Sequence, residues 1–524
     1  MGSRKSQKTA LLATALLVAV TWFYLPQYAS RLAAEPMPLY LPQPSLEAVG
    51  YAQLPDSTEI DGFLKALEKQ STMIHTVEVG RSAGGRPILA ALISNDANFL
   101  KTGHSARGRL KVLLVGGQHG TEPSGTEALQ QLAKDLLDGK ASGYLAEMDL
   151  VLVPNANPDG RDNHRRVNQN EVNLSTDYNV LSQPETRALA SVLRRYQPHV
   201  VLDLHESAIL KKKSLGAQGY LTDFQAQFEF ANHPNIAPGL RAFSSDRFLP
   251  ELLKKVNSQG LKAGHYIGEI IDIHQIINHG GISIRNFRNY AGMHGALSML
   301  VENRLDPPGE YPTPRNIKVR KAKQLVCIYA FLDQCKEERD TILKETEVSR
   351  QTASNGKVYL IESYQADRTK QEIVIPLRRR DNGELVPWDF QYHPKITATN
   401  PIAPPKAYLI RAYETRFEEL LRGHGISYTR VNDQQKVSGI VQTITSVLKR
   451  PKKQGGFAFD IGIRELLTGE LMTEPDDLKL SLTPENAHLA ALILDPRASS
   501  SVFRTPKFAR LLEVGKESFI VRIN

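Results

Sequence analysis

The stretch Leu113-Leu114-Val115-Gly116-Gly117-Gln118-His119-Gly120-Thr121-Glu122-Pro123-Ser124-Gly125-Thr126-Glu127-Ala128-Leu129 decides how this chain is read. An apolar run closes on a glycine pair, delivers His119 and Glu122, and passes into a helical pattern, which is the signature of a strand, a turn and a helix. Open α/β sheets collect their ligands at such strand ends. A His and a Glu three residues apart at such a turn can face one point, and imidazole with carboxylate is a suitable pair of zinc ligands. HxxE alone also occurs by chance on surface helices, so its partners elsewhere carry the reading.

The third ligand candidate is His205, at the end of another apolar run, VVLDLHES over 200–207. His, Glu and His from two strand ends make the three-ligand set with an open position that marks catalytic rather than structural zinc. Asp203 shares the strand face of His205 and is placed to orient a ligand imidazole, unless it pairs with some other donor. A zinc hydrolase also needs a base for the attacking water, and SMLVENR over 298–304 offers Glu302 at the end of a third apolar run. Glu206 competes for that role, but strand alternation points it away from the face of His205.

Outward from these residues, 58–305 alternates helical patterns with short β-rich runs, as an α/β sheet protein does. The strand candidates are HTVEVGR, PILAALIS, LKVLLVGG, DLVLVPN, HVVLDLH and ALSMLVEN; GTEALQQLAKDLLDG and PETRALASVLRRY are helix candidates. Several runs are apolar almost throughout, which fits a sheet covered on both faces. After Arg304 a proline-rich turn, DPPGEYPTP, leads into one long charged helix to about Thr352. Residues 356–400 then alternate in β fashion, and a final α/β region runs to Asn524. The division expected is 1–34 as a signal peptide or membrane anchor, 35–335 as a zinc peptidase domain, 336–355 as a helical connection and 356–524 as a C-terminal region of unassigned role. Cys327 and Cys335 lie eight residues apart on the long helix, about 12 Å between Cα atoms, too far to bridge.

The order HxxE, NPDG at 157–160, a later strand-end His and a late strand-end Glu resembles the zinc carboxypeptidase family, and VGRSAGGRPI over 79–88 is similar to the strand-turn-strand that opens those domains. The resemblance implies a mixed eight-stranded sheet between helices, followed here by a smaller C-terminal β-rich and α/β region. It implies one zinc ion on His119, Glu122 and His205, with Glu302 as base and then acid. It also implies an oxyanion-stabilising arginine, with Arg166 or Arg165 the counterpart and Arg161 a fallback. Where the family holds an Asn-Arg pair for the substrate carboxylate, this chain has Ser175-Thr176. Asn173 replaces an acid that supports the first ligand, and Ile276 stands at the spacing of the family's tyrosine. His279, Arg285, Arg288 and Tyr290 are nearby substitutes. Arg285 or Arg288 could hold a carboxylate from another direction, so Arg165, Ser175, Thr176, Arg285 and Arg288 are the substrate-binding candidates.

Composition bounds the setting. The 524 residues are 41% hydrophobic and 23% charged, ordinary globular values for two or three domains. The net charge of +9 is spread along the chain, with clusters at Lys211–Lys213 and Arg378–Arg380 and no nucleic-acid motif beside either. Arg4, Lys5 and Lys8 precede the uncharged run Thr9–Leu25, the order of an export signal. With only two cysteines, an exported chain suits a bacterial periplasm, free or anchored to the inner membrane facing outward. The expectation is a zinc-dependent peptidase or amidase acting outside the cytoplasm on a peptide or peptide-like substrate, cell-wall peptides among them. The alternatives are a deacylase resembling aspartoacylase and succinylglutamate desuccinylase, or a catalytically silent binding protein on the same fold.

Overall fold

The computed structural model describes residues 41–208, 214–305, 317–351, 356–365, 371–451 and 457–523, apart from the side chains of 466–468 and 485. The export segment 1–34, Lys211–Lys213 and the DPPGEYPTP turn lie outside the described residues. Among the described residues no helix is long and apolar enough to cross a membrane.

All six apolar runs become strands of one sheet: β1 (Ile74–Arg81), β2 (Pro87–Ile93), β3 (Leu110–Val115), β4 (Met148–Val153), β5 (Val200–Ser207) and β9 (Leu297–Arg304). The sheet has eight strands in the order β1-β2-β4-β3-β5-β9-β7-β8, with β7 at Ala226–Phe230 and β8 at Ala263–His265. It is mixed: β3 runs parallel to β4 and β5, and β5 to β9, while β1/β2, β2/β4 and β7/β9 are antiparallel. The strands β7 and β8 carry no apolar run, because β7 places Gln227 and Glu229 inside and β8 has only three residues. Their polar groups are used internally: Gln227 accepts from the Ile267 amide at 3.1 Å and Glu229 from the Gly280 amide at 2.7 Å.

The helices named here are α1 (Ser57–Gln70), α2 (Ser124–Leu137), α3 (Pro184–Tyr196), α4 (Phe287–Met293), α5 (Ile317–Glu337), α6 (Arg339–Gln351), α7 (Glu414–His424) and α8 (Pro484–Leu494). The charged stretch after the proline-rich turn is two helices, α5 and α6, rather than the one expected. The break falls at Glu338, whose carboxylate takes the Arg247 guanidinium at 2.9 Å. Cys327 and Cys335, both on α5, are buried and unbridged.

Residues 356–523 build three further sheets. One is six-stranded, in the order β15-β18-β14-β19-β16-β17, from Ser427–Arg430, Leu478–Ser481, Ala407–Ile410, Ile520–Ile523, Lys436–Pro451 and Phe457–Met472. A pair joins β10 (Val358–Tyr364) to β13 (Ile396–Ile402). In the third, β6 (Tyr220–Thr222), from the first half of the chain, pairs with β11 (Glu372–Arg379), and β11 with β12 (Leu385–Gln391). Arg378 of the basic cluster is tied into that seam by Asp223. One apolar cluster runs from Leu113, Val151 and Val201 of the large sheet to Val358, Tyr408, Phe417 and Phe503, so the two halves share a core.

Candidate metal centre

The first ligand turn is built by glycines. Gly117 has φ +70°, and a Cβ there would lie 2.9 Å from Thr126 Oγ1 and 3.2 Å from the Pro154 carbonyl. A Cβ on Gly120 would come within 2.0 Å of the Gly160 backbone, so the turn lies directly on the NPDG segment. The Glu122 amide donates to the His119 carbonyl at 3.0 Å, and this tight turn brings the two side chains together before α2 begins. NPDG is locked in turn: Asp159 accepts from the Gly84 amide at 2.8 Å and pairs with Arg86 at 2.6 Å, joining it to the β1–β2 hairpin.

His119, Glu122 and His205 converge, each offering a donor atom within 4.8 Å of the others. Nδ1 of His119 lies 2.9 Å from Glu122 Oε1, and Nδ1 of His205 lies 3.0 Å from Glu122 Oε2. The outer nitrogens are held from behind. His119 Nε2 meets Asn173 Oδ1 and Ser175 Oγ, both at 3.0 Å, and His205 Nε2 meets Asp203 Oδ2 at 2.9 Å. Asp203 is itself fixed by Gln118 Nε2 at 2.7 Å. Acceptors behind each ring favour a proton on Nε2, so Nδ1 is the atom that each ring turns toward the carboxylate and would offer to a metal.

His119 Nδ1 is buried and makes no hydrogen bond, because at 2.9 Å from Glu122 its geometry is not that of one. Two inward imidazole nitrogens and a carboxylate are a donor set for a divalent cation, zinc above all. The electrostatics agree. Burial raises the Glu122 carboxyl, but the charge of His119 close against it, with the hydrogen bond and charge of His205, outweighs this and holds the group well below the carboxylate range. Burial lowers His205, and Asp203 with Glu122 reverses this and raises it well above an ordinary histidine. The cluster therefore holds positive charge strongly.

Glu302 lies beside His205 in the parallel register of β5 and β9. Burial raises its carboxyl to about 7; His205 and Arg166 pull down, Glu122 and Asp203 push up. Glu206 is elsewhere engaged: it accepts from the Ser124 amide at 2.9 Å at the start of α2 and faces Arg320 at 3.6 Å.

The candidate arginines separate. Arg166 reaches the centre and contacts Glu122 Oε1 through NH1. Arg165 turns to Glu171 at the surface, and Arg161 is buried against Glu127. Glu302, Arg166 and Tyr266 line both lobes of the cleft, one of about 470 Å3 and one of about 1010 Å3. Ser175, Thr176, Arg285 and Arg288 all line the larger lobe. Ser175 nonetheless spends its hydroxyl on His119 and Asn173. Arg285 Nε donates to the Thr176 carbonyl at 3.4 Å, and Arg288, only 2% exposed, donates from NH2 to the Gly281 carbonyl at 2.7 Å. Tyr266, one residue past β8, and Thr505 with Pro506 in the lobe wall were not sequence candidates; no local motif marks any of them.

The family model for zinc carboxypeptidase matches residues 60–176. Carboxypeptidase 2 of Trichophyton rubrum is 23% identical over 454 residues, covering 83% of this chain and 81% of its own length. Carboxypeptidase 2 of Trichophyton tonsurans is 26% identical over 372 residues, covering 67% and 65%. A solved metallo-carboxypeptidase from Burkholderia cenocepacia overlays with a TM-score of 0.42 at 18% identity, covering 54% of this chain and 69% of that one. The domain match and the carboxypeptidase relatives support a metallopeptidase.

Proposed function

We propose that this chain, which resembles the zinc carboxypeptidases, hydrolyses a peptide amide outside the cytoplasm, with one zinc ion held by His119, Glu122 and His205. The observation that carries the reading is the meeting of two inward Nδ1 atoms, one carboxylate and Glu302 at the junction of the two lobes. When bound, zinc supplies Lewis acidity to polarise the carbonyl and acidify the attacking water. Glu302 takes the water's proton and passes it to the leaving amine, and its carboxyl near 7 suits a base at neutral pH. Arg166 offers its guanidinium to the oxygen on which charge develops. Asp203, Asn173 and Ser175 keep the ligand rings turned inward.

The substrate end of the reading rests on the larger lobe. With Ser175 committed to His119, a substrate carboxylate is held by Arg285 and Arg288, which line the same lobe as the Ser175–Thr176 turn. Peptides with an extra or displaced carboxylate fit this arrangement, and bacterial cell-wall stem peptides are the class proposed. The export signal at 1–34 supports an extracytoplasmic site, periplasmic or tethered to the membrane.

Incubation of the zinc-loaded protein with muropeptides and with blocked and free peptides, followed by mass spectrometry, tests the reading. The expected outcome is zinc-dependent cleavage that fails when the terminal carboxylate is blocked. Products insensitive to blocking would remove the carboxylate grip, and no product from any peptide would remove the peptidase.

A further inference from the structure

A second cavity, of about 240 Å3, lies where the two halves of the chain meet, away from the metal centre. Five of its lining residues are basic: Arg194 of α3, His294 after α4, Arg350 of α6, His424 ending α7 and His488 of α8. None of the described lining residues is an Asp or a Glu. The cavity also receives the N-terminal end of the 11-residue α8, through Thr483, Pro484 and Asn486, so the helix dipole adds positive potential.

Two polar atoms here lack what buried polar atoms almost always have. His488 is 4% exposed and its Nε2 has no hydrogen-bond partner; His294 Nε2 is likewise buried and unpartnered. The His488 ring is anchored on its other side by the Asn235 backbone. Backbone carbonyls position both arginines: Arg194 NH1 donates to Gly423, and Arg350 NH2 to Gln197 at 3.1 Å and Pro198 at 2.8 Å. Burial, followed by the charges of Arg194 and Arg350, pushes His294 down to about 3. Burial lowers His424 to about 3 as well, with His294 and Arg194 adding to it. Basic side chains with no carboxylate among the described lining residues are complemented by an anion.

We propose that this cavity binds a small oxyanion, either free phosphate or the phosphoryl group of a small phosphomonoester, between Arg194 and Arg350 with His294 and His488 donating from Nε2. Its volume falls below the roughly 300–1,000 Å3 of sites for drug-sized ligands, so the guest is small. Since the lining comes from both halves, the bound anion clamps them together and raises the thermal midpoint.

Titration of the zinc-loaded full chain with inorganic phosphate, and separately with glycerol phosphate, distinguishes the two sources. The expected result is saturable uptake at one site per chain, beyond any at the metal, that persists after zinc is chelated. His488→Gln should keep peptide hydrolysis yet bind phosphate about tenfold more weakly, the loss of one charge-assisted hydrogen bond. Nitrogen-15 spectra of the unmutated protein guard against misfolding of the variant: the His294 and His488 Nε2 signals should move as phosphate saturates. No saturable uptake in the low millimolar range, uptake lost with zinc, or imidazole signals that stay still would each overturn the site, leaving the cavity to water.

Discussion

Among the described residues stand two clusters of two histidines and one glutamate, His119-Glu122-His205 and Glu229-His265-His279, and each gathers its donor atoms within 4.8 Å. They differ in which atoms are already taken. In the first, the acceptors sit behind the rings, on Nε2, and Nδ1 of His119 is left without a hydrogen bond. In the second, His279 has both nitrogens engaged, Nδ1 with the Tyr266 carbonyl at 3.0 Å and Nε2 with the Tyr392 hydroxyl. Glu229 spends one oxygen on His265 at 3.0 Å and the other on the Gly280 amide at 2.7 Å, with Arg288 adding a positive charge nearby. Equal donor counts therefore describe different situations: in the first the inward contacts of the two rings run only to Glu122, their fellow ligand, whereas in the second both nitrogens of His279 are spent on oxygens outside the cluster, bonds that a cation would have to break.

The sharpest way to break this contrast is to remove one ligand from each cluster. His205→Ala should abolish stoichiometric zinc and hydrolysis together, whereas His265→Ala should keep one zinc per chain by elemental analysis. Unchanged zinc in the first variant, or a loss in the second, would reverse the assignment. Next in size is Glu302→Gln. It leaves the three ligands intact and removes the base, so zinc should stay while hydrolysis falls by about 10²–10⁴. A variant with full turnover would exclude Glu302 as the base.

How far the sequence reaches follows the same contrast. Six apolar runs became six strands, and His119, Glu122, His205 and Glu302 were legible because each ends such a run, where side chains turn outward to ligand. The second cluster was not legible. Glu229 and His265 lie on β7 and β8, whose polar interiors and short lengths carry no periodic signal, and Tyr392, the partner of His279, comes from a distant hairpin. The division of labour among Arg161, Arg165 and Arg166 was equally hidden, since three arginines within six residues differ only in which acid the fold brings to each. Thr505 and Pro506 reach the cleft through the shared core, a tertiary contact with no local trace.

A milder change sharpens the claim that backing acceptors define the metal centre. Asp203→Asn keeps the volume but lets the amide present a donor to His205 Nε2, which weakens the hold on the inward tautomer. Zinc affinity should fall by about 10–100-fold, measured by competition with a chelator, while the unfolding midpoint of the metal-free protein moves little. An unaltered affinity would show that Glu122 and the two rings suffice without the carboxylate behind them.

The smallest expected effect tests the closed cluster by protons instead of metal. Burial, and then the charge of His265, lowers His279 to about 4 from an ordinary 6.5, so the folded protein binds this proton less readily than the unfolded chain does. The sign follows: His279 contributes its full stabilisation above pH 6.5, loses it as pH falls from there to about 4, and contributes no further change below. The drop is at most ~3 kcal/mol, less after screening, since the ring is partly exposed. Metal-free wild type and His279→Gln, unfolded with denaturant across that pH range, should differ in slope, the variant losing less stability on acidification. Parallel curves would mean that His279 takes up its proton in the folded state at its ordinary value, and that the second cluster is looser than its hydrogen bonds imply.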